Sequence, residues 1–164
     1  MADVGQVEEE NGKKILIAVD GSKHSIFAFE WYADKIHEPT DDVIIGFCSE
    51  IGTNLPSNVA QTSPATLHAL IEKHEEKTKE IFSTFDSLAT KYNVQHKLER
   101  LHDPPGPSIV KYAYENNVQL IVVGSRGHGT FRRTILGSVS DYIVHHSHVP
   151  VIICKHHDEH HKFK

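Results

Sequence analysis

The stretch Gly124–Ser138, GSRGHGTFRRTILGS, gathers four glycines and three arginines and ends on a Gly-Ser pair. Such residues suit a polyphosphate ligand. It needs backbone N–H groups turned inward and no side chains in their way, which glycine permits through close approach and positive φ. A helix N-terminus adds unpaired N–H donors and the positive end of its dipole. Gly124, Gly127 and Gly129 follow a very apolar run, and Gly137-Ser138 opens a helix-like one. Asp141 stands three residues after Ser138, the spacing of a capping box. The same residues also read as a tight turn with a solvated basic face and a Ser that only caps its helix. Glycine content alone leaves both readings open. The P-loop pattern G-x-x-x-x-G-K-[ST] is absent, and so is G-x-G-x-x-G after the first strand, so a nucleotide site here is of another kind.

Few other residues offer chemistry. Asp20 follows the first apolar run and is either a ligand contact or a cap for the next helix. Arg132 and Arg133 reach phosphate oxygens or form a solvated loop face; Ser22 and Ser25 read as local caps. His145, His146 and His148 cluster before the last apolar run, and His156, His157, His160 and His161 crowd the C-terminus. Pairs four apart bind a transition metal when they share a helix face. A charged terminal stretch is usually disordered, however, and no metal site is assigned. The cluster would gain charge at roughly pH 6. Cys48 and Cys154 lie inside apolar runs and read as buried thiols rather than a disulfide. No Ser-His-Asp or Cys-His set follows from the spacing and no paired carboxylates share a loop, so no catalytic residues are assigned.

The elements that must position these residues alternate along the chain. Residues 14–19 form a short, nearly continuous apolar run suited to a strand buried on both faces. Asp20-Gly21-Ser22 breaks it. Ser22 is placed to cap a helix whose inner face carries Ile26, Phe29, Ala33 and Ile36, with Pro39 as its stop. Residues 43–48 make the second strand. Residues 51–63 form a connection long enough to be functional or mobile. Ser63-Pro64 then reads as an N-cap followed by proline at the first helical position. Leu67, Leu70, Ile71, His74, Thr78, Ile81, Phe85, Leu88 and Tyr92 line one face of the long helix that follows. The third strand, 94–101, is more polar and is expected at a sheet edge. Pro107 opens a helix with Ile109, Val110, Ala113 and Tyr114 inward, ending at Asn116-Asn117. Strand 120–123, the glycine segment, a helix near 139–146 and strand 149–154 complete the pattern. Five strands alternating with four helices predict an α/β fold, a single doubly wound parallel sheet with helices on both faces. Ligands in such sheets sit beyond the carboxyl ends of the strands where the winding reverses. The loops after the first and fourth strands, at Asp20 and Gly124, are the candidates.

Composition narrows the function classes. The 164 residues fit one domain with a substantial core, and 38% apolar with 24% charged residues is an ordinary soluble balance. A net charge of −5 argues against non-specific nucleic-acid binding, which depends on clustered Lys and Arg. The acidic opening MADVGQVEEENG has no apolar core and reads as no secretory signal. No apolar run approaches the roughly 20 residues of a membrane span, so a cytoplasmic protein with no membrane association is expected. The chain divides into a disordered acidic N-terminus (1–12), a domain (13–155) and a His-rich tail (156–164).

Gly124-Ser125-Arg126-Gly127, nine residues and Gly137-Ser138 fit G-x-x-G-x9-G-[ST], which resembles the nucleotide-binding signature of the ATP-binding branch of the universal stress protein family. KKILIAVDGSKHS (13–25) is similar to that family's opening strand and turn, and HVPVIICK (148–155) to its closing strand. The resemblance spans roughly residues 13–155. It implies a five-stranded sheet in the order 3-2-1-4-5 and an adenine nucleotide ligand, ATP first, with Mg²⁺ as an accompanying ion. It implies that Asp20 faces the ribose or a phosphate-bound magnesium and that Ala18 and Val19 line the pocket. Cys48 falls at a position that meets adenine through its backbone. Gly124 and Gly127 let the chain approach the ribose and phosphates, and Arg126, His128 and Gly129 lie in the loop over the nucleotide. Gly137, Ser138, Val139 and Ser140 offer N–H and hydroxyl donors at a helix start. It also implies a homodimer paired through Val149–Cys154. The reading is thus a nucleotide-binding regulatory module of the stress response with little or no hydrolysis and unnamed protein partners. The alternatives are a slow ATPase or adenylate-transferring enzyme, and a stress-response dimer that binds no nucleotide.

Overall fold

The apolar run KILIAV forms β1 (Lys14–Val19), with every position after Lys14 buried, as expected of a strand covered on both faces. β2 (Asp42–Cys48) and β4 (Leu120–Gly124) are built alike and flank β1 in parallel register. β3 (His96–Leu101) pairs with β2 and β5 (Val151–Cys154) with β4, both in parallel. The sheet order is β3-β2-β1-β4-β5, so the winding reverses between β1 and β4 and the polar β3 stands at an edge. The structure, a computed structural model, describes residues 12–48, 63–126 and 136–156. The expectations for residues 1–11, the connection 51–62, Arg132, Arg133 and the tail beyond His156 lie outside these.

Helices cover both faces. α1 (Lys23–Lys35) and α2 (Pro64–Lys91) bury Phe29, Tyr32, Ile81 and Phe85 against Ile15, Ile17, Val43 and Ile45. α3 (Pro105–Glu115) and α4 (Ser138–His146) bury Ile109, Ala113 and Ile143 against Leu16, Ile44 and Ile121 on the other face. Alternate strand residues thus enter opposite cores, which the period of two requires. Ser22 and Ser63 cap α1 and α2 as their sequences predict, each accepting an N–H three residues on.

Several expectations need correction. β3 begins at His96, not 94, because Asn93 takes φ 55° and the Val94 N–H returns to the Ala89 carbonyl, finishing the helix. β5 begins at Val151, not 149, because Ser147 Oγ occupies the Val149 N–H and Pro150 has none. α3 begins at Pro105, two residues early. Tyr114 is 73% exposed rather than inward, since the buried stripe of α3 runs through Gly106, Ile109 and Ala113. Along α2, burial starts only at Thr78, and Ile71 is 44% exposed. The 28 residues of α2 extend roughly 42 Å, while the seven of β2 reach only about 23 Å. α2 passes the end of β1 at Ile81, so its first turns run on beyond the carboxyl ends of the strands.

Candidate functional site

β1 and β4 are paired up to Ala18 and Val123, so the chain leaves both strands at one level, into Asp20 and into Ser125. This is the reversal point at which an open α/β sheet forms its crevice.

On the β1 side the turn closes on itself. Gly21 has φ +81°, and a Cβ there would lie 2.8 Å from Ile81 Cγ1, so only glycine fits between β1 and α2. Asp20 Oδ1 accepts the Ser22 N–H at 2.9 Å, Ser22 Oγ accepts the Ser25 N–H at 3.3 Å, and Ser25 Oγ donates to the Ser22 carbonyl at 2.9 Å. The Ser22 and Ser25 amides at the start of α1 are thus satisfied within the turn, and the helix's positive end favours the Asp20 carboxylate there. The side chains of Ala18 and Val19 are buried on opposite faces of the sheet. Cys48 is buried too, its Sγ donating to the His102 carbonyl at 2.7 Å. At these three positions only the backbone is left to face the crevice.

On the β4 side the arrangement is open. Gly124 ends the strand directly against α1: a Cβ would stand 2.8 Å from the His24 carbonyl carbon and oxygen. Ser125 is buried, its N–H donating to the Cys154 carbonyl of β5 at 2.8 Å and its carbonyl accepting the Gly137 N–H at 2.9 Å. That bond brings the start of α4 to the end of β4. The N-cap of α4 is Gly137, which has no side chain to offer, and Ser138 is the first helical residue. The capping box expected from Ser138 and Asp141 does not form, because the cap lies one residue earlier. The first helical bond runs from the Asp141 N–H to the Gly137 carbonyl at 2.9 Å. The N–H groups of Ser138, Val139 and Ser140 thus have no partner inside the helix. Ser138 is exposed, Val139 packs on the second core, and Ser140 is 2% exposed with its hydroxyl turned inward.

The fold thus brings Asp20, Gly124, Arg126, Gly137, Ser138, Val139 and Ser140 to one end of the sheet, with Ala18, Val19 and Cys48 in the strands beneath. Gly127, His128 and Gly129 lie outside the described residues. Sequence reasoning passed over Ser125 and His24. A serine after a strand carries no mark of burial, and His24 looks like any helix residue until Gly124 is seen against it. Among the described residues no three of His, Cys, Asp and Glu converge as metal ligands, and no helix is long and apolar enough to cross a membrane.

Comparison with known proteins places the fold in company. The profile of the universal stress protein family matches residues 12–155. A universal stress protein of Methanocaldococcus jannaschii is 26% identical over 145 residues, covering 87% of this chain and 82% of that protein. Universal stress protein UspA from Lactobacillus plantarum superposes with a TM-score of 0.70 at 21% identity, covering 87% of this chain and 97% of that one. A universal stress protein family protein from Arabidopsis thaliana with AMP bound superposes with a TM-score of 0.65 at 20% identity, covering 93% and 97%. Other solved relatives are complexes with dAMP or cAMP.

Proposed function

The chain belongs to the universal stress protein family, and we propose that it is a regulatory member that binds an adenine nucleotide, ATP first, in the crevice between the ends of β1 and β4. One contrast carries this reading. In α1 and α2 a serine at the N-cap, Ser22 or Ser63, accepts one first-turn amide, and α3 has proline, which carries no N–H, at two of its first three positions. Among the described helices, α4 alone combines an N-cap without a side-chain hydrogen bond with an N–H at each of its first three positions, and it starts at the reversal point. Uncapped amides at a helix start are an anion site. AMP, dAMP and cAMP in solved relatives support an adenine ligand.

In this reading the amides of Ser138, Val139 and Ser140 take phosphate oxygens. Asp20 meets the ribose hydroxyls or a phosphate-bound Mg²⁺, for which a carboxylate is a suitable hard donor. The backbone at Ala18, Val19 and Cys48 borders the base. Gly124, Arg126, Gly127, His128, Gly129 and Gly137 complete the phosphate side. Hydrolysis is slow or absent, since no assigned residue positions an attacking water. The protein works in the cytoplasm as a homodimer paired through Val149–Cys154, with β5 at the sheet edge supporting that pairing. Nucleotide then acts by favouring the conformational state that binds it better.

Calorimetric titration with ATP tests the site. The unaltered protein binds, and Gly127→Val abolishes binding with an unchanged circular dichroism spectrum, because a β-branched side chain fills the phosphate path. Equal affinity in the two proteins would refute the assignment. Phosphate release that is rapid, and lost in Asp20→Ala, would replace this reading with the enzymatic one.

A further inference from the structure

We propose that the Ser140 hydroxyl is a positioning group that latches the start of α4 to the end of β4, rather than a group that touches the ligand. Its Oγ lies 2.9 Å from the Gly137 carbonyl and 3.2 Å from the Ser125 carbonyl, and donates to both. The bond to Gly137 is local, three residues back along the helix. The bond to Ser125 joins residues 15 apart in sequence and ties two elements together. The Ser125 carbonyl also accepts the Gly137 N–H at 2.9 Å, so both of its lone pairs are used. Ser125 in turn donates to the Cys154 carbonyl at 2.8 Å. A continuous set of hydrogen bonds thus runs from β5 through Ser125 into the first turn of α4.

This arrangement leaves the Ser140 hydroxyl little to give a ligand. Its side chain is buried and its single hydrogen is shared between two carbonyls, one of which a ligand contact would leave partly unsatisfied. The junction has no slack: a Cβ on Gly137 would lie 3.3 Å from Arg126 Cα and 3.6 Å from Ser140 Oγ. Ser138 differs, being exposed at the first helical position. The two serines therefore divide the work. Ser138 stands exposed at the helix start, and the Ser140 hydroxyl fixes where the first-turn amides stand. Without its hydroxyl, the hydrogen bond from the Gly137 N–H to the Ser125 carbonyl is the one that still joins the two ends among the described residues.

The inference rests on the nucleotide reading for its affinity consequence, and on the hydrogen bonds of Ser140 Oγ alone for its effect on exchange. Both are measured on S140A, S140T and S138A in the full chain, by amide hydrogen exchange at Gly137 without ligand and by calorimetry with ATP. S140A should exchange at Gly137 about tenfold faster and bind ATP about tenfold more weakly, the scale of one hydrogen bond's net contribution. S140T should restore both. S138A should leave exchange at Gly137 as in the unaltered protein. Unchanged exchange in S140A overturns the latch, and so does faster exchange with unchanged ATP affinity. If the unaltered protein binds no ATP, the nucleotide reading falls by itself, and exchange at Gly137 in S140A still decides the latch.

Discussion

Gly124 presses on the backbone of His24, leaving no room for a side chain between β4 and the first turn of α1. The neighbours of its missing Cβ are carbonyl atoms of a helix, which retreat only if the helix moves. This glycine therefore has a packing reason to be there whether or not a ligand comes near. Gly124→Ala should lower stability by about 1–3 kcal/mol, the cost of overpacking a well-filled site, as read by urea unfolding. Unaltered stability would mean that α1 shifts freely on the sheet.

Asp41 anchors the opposite end of the domain. Its side chain is fully buried, and it accepts hydrogen bonds from Tyr32 Oη at 2.8 Å, the Glu38 N–H at 3.0 Å and the Lys13 N–H at 3.3 Å. Burial by itself pushes the carboxyl up, but these donors and the Lys13 ammonium outweigh it and hold the group below the usual aspartate range. A carboxyl depressed on folding adds stability above its unfolded value, about 3.9, and loses that contribution as pH falls through the folded value. Asp41→Asn should therefore cost about 1.5–3 kcal/mol at neutral pH, the scale of hydrogen bonds to a charged group. The gap between the two proteins should close as the pH falls below about 4. Urea unfolding across that range measures it, and a gap independent of pH would contradict the assignment.

Cys48 and Cys154 are buried and form no disulfide. Burial pushes the Cys154 thiol up to about 11, and the Cys48 thiol donates to a carbonyl. The thiolate is the reactive form, so both should resist a thiol reagent at about pH 8 while the protein is folded and react in guanidinium. Rapid labelling of the folded protein at Cys154 would show that β5 opens readily.

Much of this fold could be read from the chain because its strands are short apolar runs and two of its helices announce themselves with serine caps. The α2 face from Leu67 to Ile71 misled, since helical periodicity continues past the point where the sheet beneath it ends. Tyr114 misled for a related reason: apolar character marks a face but not what lies opposite. At the site, the glycine spacing picks out the crevice. It does not tell Gly124, shaped by a helix, from a glycine shaped by a ligand. Nor does the sequence pair Ser125 with Ser140, because their contact exists only once β4 and α4 have met. The cap of α4 shifted by one residue, to Gly137, against the usual preference for serine, because the bond from the Gly137 N–H to the Ser125 carbonyl fixes where the helix starts.

The central claim, that backbone amides at the start of α4 bind the phosphates, can be tested by deleting one of them. Ser138 occupies the first helical position, where proline is tolerated, and Gly137 before it already has the extended ψ of 152° that a following proline prefers. Ser138→Pro therefore removes one donor with the helix retained, and Ser138→Ala controls for the lost hydroxyl. Calorimetric titration with ATP should show Ser138→Pro binding at least about tenfold more weakly than Ser138→Ala, as the loss of one charge-assisted hydrogen bond requires. Equal affinity in the two variants would contradict the account.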